Sequence, residues 1–311
     1  MRVCLMIEGQ EDVTWDQWVA LARACEDAGL EGLFRSDHYL SVMGQAGRGS
    51  LDAWATLAAL APLTNRIRLG TLVSPATFRH PSVVAKMAVT VDHVSGGRVE
   101  LGLGAGWLEA EHRAYGFPAP SFDVFAEQLE IVHRSWGPGP FDFHGRHYRV
   151  EGLDALPKGV QRPHPWLIVG GHAGARGAAL AARWGDEYNT TFASPDTCRQ
   201  RRAVVEEAWE KEGRPPDTLV FSLMTRGIVG RDAAECRQRV QAAMARTGDT
   251  GDPVTWLADH QAEWAVGTVD AVADKLRQFE AAGVERVMLQ HLAHDDLAMV
   301  ALLGEVARLV A

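Results

Sequence analysis

The chain has 311 residues, 47% hydrophobic and 23% charged, with a formal net charge of −9. This composition supports a large buried core and argues against nucleic acid and anionic membranes as partners. No uncharged apolar run approaches the ~20 residues that cross a bilayer, and the opening Met1-Arg2-Val3-Cys4-Leu5-Met6-Ile7 reads as a strand, not a signal peptide, so a soluble cytoplasmic protein is expected.

A short apolar run followed by a helical pattern recurs along the chain. Arg2–Ile7 reads as the first strand. Thr14–Ala28 follows, with Trp15, Trp18, Val19, Ala22 and Cys25 at helical spacing and Gly29 as its stop. Gly32–Arg35 is the second strand and Leu51–Leu63 the second helix. In Arg66–Val73, Ile67, Leu69, Thr71 and Val73 alternate as in a third strand, and Ser82–Val94 is its helix. Arg98–Leu103 is the fourth strand, with helices at Leu108–Tyr115 and Phe122–Trp136. Residues 137–165 then break the rhythm with prolines and glycines. A hairpin is expected around His144-Gly145-Arg146-His147, and loops this long are usually functional or mobile.

The rhythm resumes with strands at Trp166–Val169, Glu187–Thr191 and Thr218–Val229, and helices at Ala173–Trp184, Thr197–Glu212 and Ala233–Arg246. Gly248–Gly267 is a second insertion. Helix Val269–Ala282, strand Arg286–Gln290 and helix Asp296–Val310 close the chain. Eight strands alternating with helices imply parallel βαβ units. A doubly wound sheet competes, but eight regular repeats favour an α/β fold closed as a (β/α)8 TIM barrel. It would form one domain over residues 1–311, with insertions after strands four and seven. Chemistry in such a barrel sits at the C-terminal ends of the strands.

Strand two ends in Arg35-Ser36-Asp37-His38-Tyr39. An imidazole there can exchange a proton near neutral pH, and Asp37 could orient it or accept a hydrogen bond from a cofactor ring. Strand three ends in Leu72-Val73-Ser74-Pro75, stopping where Pro75 forbids another ladder bond. Strand four ends in Gly102-Leu103-Gly104-Ala105-Gly106-Trp107, whose glycines admit either a ligand or tight packing. Glu109, Glu111 and His112 follow and read most simply as a solvated helix face. Strand five ends in Gly170-Gly171-His172-Ala173-Gly174-Ala175-Arg176, a glycine turn before a helix. Its free N–H groups suit a phosphate, with Arg176 able to add charge. The pairs His144/His147 and His291/His294 have poor spacing for a metal, and no metal site is expected. Cys4, Cys25, Cys198 and Cys236 are scattered and read as structural thiols.

Taken in order, these segments resemble the luciferase-like superfamily, and within it the group dependent on the deazaflavin coenzyme F420. Gly96-Gly97-Arg98, Gln161-Arg162-Pro163-His164-Pro165 and Gly283-Val284-Glu285-Arg286-Val287 also carry the likeness, which runs over nearly the whole chain. The resemblance implies hydride transfer between F420 and a small-molecule substrate. It places His38 and Asp37 at the deazaflavin ring as catalytic residues. Leu72, Val73 and Ser74 would form a bulge behind the ring, often with a non-proline cis peptide. Gly104, Ala105 and Gly106 would be a nearby wall, and Gly170, Gly171, His172, Ala173 and Gly174 the phosphate loop. Two positions depart from the sugar-phosphate dehydrogenases of the group. Trp107 stands where they carry Glu, and Val42 where they carry an aromatic, so both are expected to shape a different substrate pocket. An FMN-dependent monooxygenase, a non-catalytic flavin-binding protein and a metal-dependent hydrolase are the alternatives. A homodimer is expected by analogy alone.

Overall fold

The computed structural model describes residues 1–311. Eight strands form the barrel: β1 (Arg2–Ile7), β2 (Gly32–Arg35), β3 (Arg68–Thr71), β4 (Val99–Gly104), β5 (Trp166–Gly170), β6 (Glu187–Thr191), β7 (Val220–Gly230) and β8 (Arg286–Gln290). Each pairs in parallel with the next. β8 returns to β1, with Arg2 opposite Arg286 and Met6 opposite Gln290. The ring is therefore closed, as expected from the eight repeats, and its eight strands leave no free edge to pair with another chain.

Helices pack outside this ring, and their ends follow local chemistry. Trp15–Ala28 begins with a reciprocal cap between Thr14 and Gln17 and ends at Gly29 in the left-handed region (φ 78°). The second helix is shorter than its apolar pattern, Ala53–Leu60, because the Asp52 side chain caps Ala55 N–H and a 3-10 turn follows.

The barrel interior is layered by the two-residue period of the strands. At the N-terminal end, the Arg286 guanidinium meets Glu31, Glu100 and Glu187 at 2.6–3.0 Å. The middle layer is apolar and includes Met6, Phe34, Leu72, Ile168, Met224 and Met288. Glu8, Ser36, Arg226 and Gln290 lie two residues further along the chain from Met6, Phe34, Met224 and Met288 and are buried polar groups toward the C-terminal mouth.

Three features bear on the mouth. β3 stops at Thr71 rather than Val73, and the Leu72–Val73 peptide is cis. Pairing then resumes at Ser74–Pro75 against Leu103 and Gly104, with Ala76 N–H donating to Gly104 in place of the hydrogen proline lacks. The first insertion carries the expected hairpin, Phe141–His144 against Arg149–Leu153. The second holds a helix at Pro253–Ala258 and a strand, Ala265–Thr268, that pairs with β7 outside the ring. No helix is long and apolar enough to cross a membrane.

Candidate active site

His38 stands just past β2, with its side chain 12% exposed. Its Nδ1 lies 2.8 Å from Glu111 Oε2. The other carboxylate oxygen of Glu111 accepts from the backbone N–H groups of Tyr39 and Leu40. Burial alone would lower the His38 pKa, but the hydrogen bond and charge of Glu111 outweigh it and raise it above its ordinary 6.5. Trp107 is exposed, and its ring meets His38 edge-on at 5.6 Å. The Asp37–His38 hydrogen bond considered from the sequence does not form.

Asp37 instead faces Ser74 and Arg79. Ser74 Oγ donates to its Oδ2 at 2.6 Å, and Arg79 spans both oxygens at 2.5 and 3.1 Å. Arg79 also donates to Tyr39 Oη at 2.9 Å and Asp52 Oδ2 at 2.7 Å. Asp37 is thus a buried anchor joining the end of β2 to the segment after β3. Glu11 does similar work on the loop after β2, where its carboxylate accepts from Ser41 Oγ and the N–H of Val42 and is paired with Arg48. Val42 is half-buried in that loop.

The glycines after β4 serve packing. A Cβ on Gly104 would lie 2.7 Å from Val73 Cγ2, and one on Gly170 3.0 Å from Val73 Cγ1. Val73, half-buried, thus wedges between the ends of β4 and β5. Gly106 (φ 83°) makes room for His112, whose Nε2 is 2.6 Å from Thr77 Oγ1. Ala105, between these glycines, packs at the edge of the core. Glu111 and His112 are buried, which corrects their reading as part of a solvated face; of the three residues so read, only Glu109 is exposed.

After β5, Gly171 N–H is taken by Asn189 O and Ala173 N–H by Tyr188 Oη at 2.7 Å. Ala173 is held at φ 56°. Helix Ala175–Trp184 starts at Gly174 with no side-chain cap, so its first N–H groups have no intrahelical partner. A Cβ on Gly174 would meet nothing within 4 Å, and His172 is exposed. Arg176 is not free to add charge: it pairs with Asp123 and lies over Phe122.

The ends of β2, β3, β4 and β5 are consecutive on the barrel. Three strand spacings, about 14 Å, separate the His38 corner from the glycine turn. The arc gathers His38, Val73 and the open helix N-terminus on one rim. Glu111 and Arg79 belong to it and escaped the sequence reading. His144 and His147 lie on the hairpin, and no group of three or more His, Cys, Asp or Glu side chains is placed to hold a metal.

Comparison with known proteins bears on the family and the fold. The family described as luciferase-like monooxygenase matches residues 2–286. A monooxygenase from Streptomyces bottropensis superposes with a TM-score of 0.83 at 23% identity, covering 99% of this chain and 97% of the other. The coenzyme F420-dependent tetrahydromethanopterin reductase from Methanopyrus kandleri gives 0.80 at 20%, covering 98% of each chain. The FMN-bound oxygenating component of 3,6-diketocamphane monooxygenase from Pseudomonas putida gives 0.78 at 19%, covering 99% and 98%. At these identities the likeness is one of fold, and it spans enzymes of both cofactor types.

Proposed function

The chain belongs to the luciferase-like monooxygenase family, and on that premise we propose that it is an oxidoreductase transferring a hydride between the deazaflavin coenzyme F420 and a small organic substrate. The observation that carries this reading is the His38–Glu111 pair on the same barrel rim as the Val73 wedge and an uncapped helix N-terminus.

The residues present suit such a cofactor. With the Gly171 and Ala173 N–H groups committed to Asn189 and Tyr188, the N–H groups of His172, Gly174 and the first turn of the following helix, with its dipole, suit an anionic tail. Val73 offers an apolar surface for a ring, supported from behind by Gly104 and Gly170. When bound, the deazaflavin supplies two-electron hydride chemistry at its carbon 5. The chain orients the reactants and manages the proton. His38, fixed through Nδ1 by Glu111, which favours its protonated form, has Nε2 free of any hydrogen bond within the protein. From there it delivers a proton to the substrate atom that gains charge as the hydride arrives, and it takes one back in the oxidative direction. Asp37 acts as a positioning residue through Arg79 and Ser74. Trp107 and Val42 border the place where the substrate would sit.

Titrating the protein with F420 and with FMN, followed by cofactor fluorescence, tests the reading. Tight binding of F420 is expected. Tight binding of FMN alone would replace this reading with that of an FMN-dependent monooxygenase, which consumes oxygen when supplied with reduced flavin. His38→Ala is expected to keep cofactor binding and lose about 100-fold or more in turnover. Unchanged turnover would remove His38 from the chemistry, and cofactor binding without any turnover in wild type would point to a non-catalytic flavin-binding protein.

A further inference from the structure

The mouth holds a cation that the proposed proton chemistry does not use. Met224 and Met288 lie in the barrel interior. Arg226 and Gln290, two residues further on, project from the same faces one layer nearer the mouth. Arg226 is 9% exposed. Its Nε and Nη2 both donate to Gln290 Oε1 at 3.1 Å, and Gln290 Nε2 donates to Glu8 Oε1 at 2.6 Å. The guanidinium carbon lies 4.4 Å from the Trp264 ring centroid and 5.7 Å from that of Trp256. Both indoles come from the insertion after β7, which folds back over this edge of the barrel.

Arg226 forms no ion pair. Glu8 and Asp249 act on it only through space. Glu8 is committed to Gln10 and Gln290, and Asp249 to Thr247 and Trp256. Arg35, equally deprived of a carboxylate, satisfies its nitrogens on two backbone carbonyls and two hydroxyls. Arg226 has a single amide oxygen, and its Nη1 donates to nothing in the protein. Burial pushes its pKa down to about 10. A guanidinium held over an indole, desolvated and with one terminal nitrogen free, is arranged to receive a planar or tetrahedral oxyanion.

We propose that Arg226 is a specificity-determining residue and that the substrate is an organic acid, whose carboxylate or sulfonate docks on the free edge of this guanidinium. The inference rests on the reading of the mouth as an oxidoreductase site. It adds the class of molecule that site accepts. Residues of β7 and β8 would hold the charged end of the substrate, and the His38 corner across the mouth would face its reacting end.

The test uses 3-phenylpropionate, 2-phenylethanesulfonate and neutral 3-phenylpropanamide as probes, titrated into the full chain with indole fluorescence as the readout. The titrations are repeated in the presence of F420 and of FMN. Both anions, or one of them, are expected to bind wild type about thirtyfold more tightly than the amide; which one does so distinguishes carboxylate from sulfonate. The preference should vanish in Arg226→Gln and survive in part in Arg226→Lys. Arg226→Met serves as the second variant should the glutamine form not fold. Equal binding of anion and amide by wild type, or a preference that persists in Arg226→Gln, would overturn the proposal. Loss of F420 or FMN binding in Arg226→Gln would also overturn it, by assigning the residue to the cofactor. Failure of wild type to bind either cofactor would instead remove the oxidoreductase reading, and it is measured independently of the anion preference.

Discussion

His38 and Glu111 are 73 positions apart in sequence and 2.8 Å apart in space. Their pKa values move in opposite directions. Burial pulls His38 down, and the Glu111 hydrogen bond and charge more than reverse it. Burial pushes Glu111 up, but the bonds from His38 and from the Leu40 and Tyr39 N–H groups bring it below its ordinary 4.5. The histidine part of the stabilisation is complete below pH 6.5 and fades as pH rises through the raised folded value. The glutamate part is present above pH 4.5 and fades as pH falls through the lowered one. In Glu111→Gln, His38 should titrate at lower pH, as followed by NMR of its ring protons. The alkaline limb of the pH–rate profile for substrate reduction should move the same way. A His38 titration unmoved by the substitution would mean that Glu111 does not govern its proton affinity.

Arg79 is the partner of Asp37 in a buried ion pair. The side chains are 11% and 1% exposed, and the contact is bidentate. Removing one partner of a buried pair leaves an uncompensated charge, at a cost of about 3–5 kcal/mol. Arg79→Met is expected to lose that much stability in urea unfolding, and Arg79→Met/Asp37→Asn to regain a substantial part. A single substitution as mild as an exposed one would show that Asp37 finds another partner.

The barrel was legible because each strand and helix announces itself locally. Period-two and helical apolar spacing, Gly29 as a stop and the proline-rich break after Trp136 all act within a few residues. The ends of β2 to β5 could be placed on one rim once eight repeats were counted. The partners of Asp37 and His38 were not legible, since Arg79 and Glu111 reach them across 42 and 73 positions. Helix Glu109–Tyr115 is only seven residues long, too short for periodicity to reveal that Glu111 and His112 face inward. The glycines after β4 admitted either a ligand or tight packing. Only the fold shows that Val73 and His112 take that room.

Val73 and Gly104 form a wedge that a single methyl should disturb. The Cβ of Gly104→Ala would sit 2.7 Å from a branched side chain that is itself confined by Gly170. Overpacking of this kind costs about 1–3 kcal/mol. Gly104→Ala should therefore unfold at lower urea concentration and bind its cofactor more weakly. Gly104→Ala/Val73→Ala should recover the stability, because the clash is removed with its partner. Failure of the double variant to recover would place the strain elsewhere in the β3–β4 contact.

Tyr188 and Ala173 hold the glycine turn in shape. Tyr188 is buried, and its Oη accepts the Ala173 N–H at 2.7 Å while the alanine sits at φ 56°. Tyr188→Phe keeps the ring but leaves a buried N–H unpartnered, which costs about 1–3 kcal/mol. The turn should loosen, so affinity for a phosphate-bearing cofactor falls more than affinity for its dephosphorylated form. Ala173→Gly works in the opposite sense, since glycine tolerates the left-handed region; stability is expected to hold or to rise by up to ~1 kcal/mol. Equal weakening of both cofactor forms in Tyr188→Phe would mean that the turn supports the barrel wall and does not grip the anionic tail.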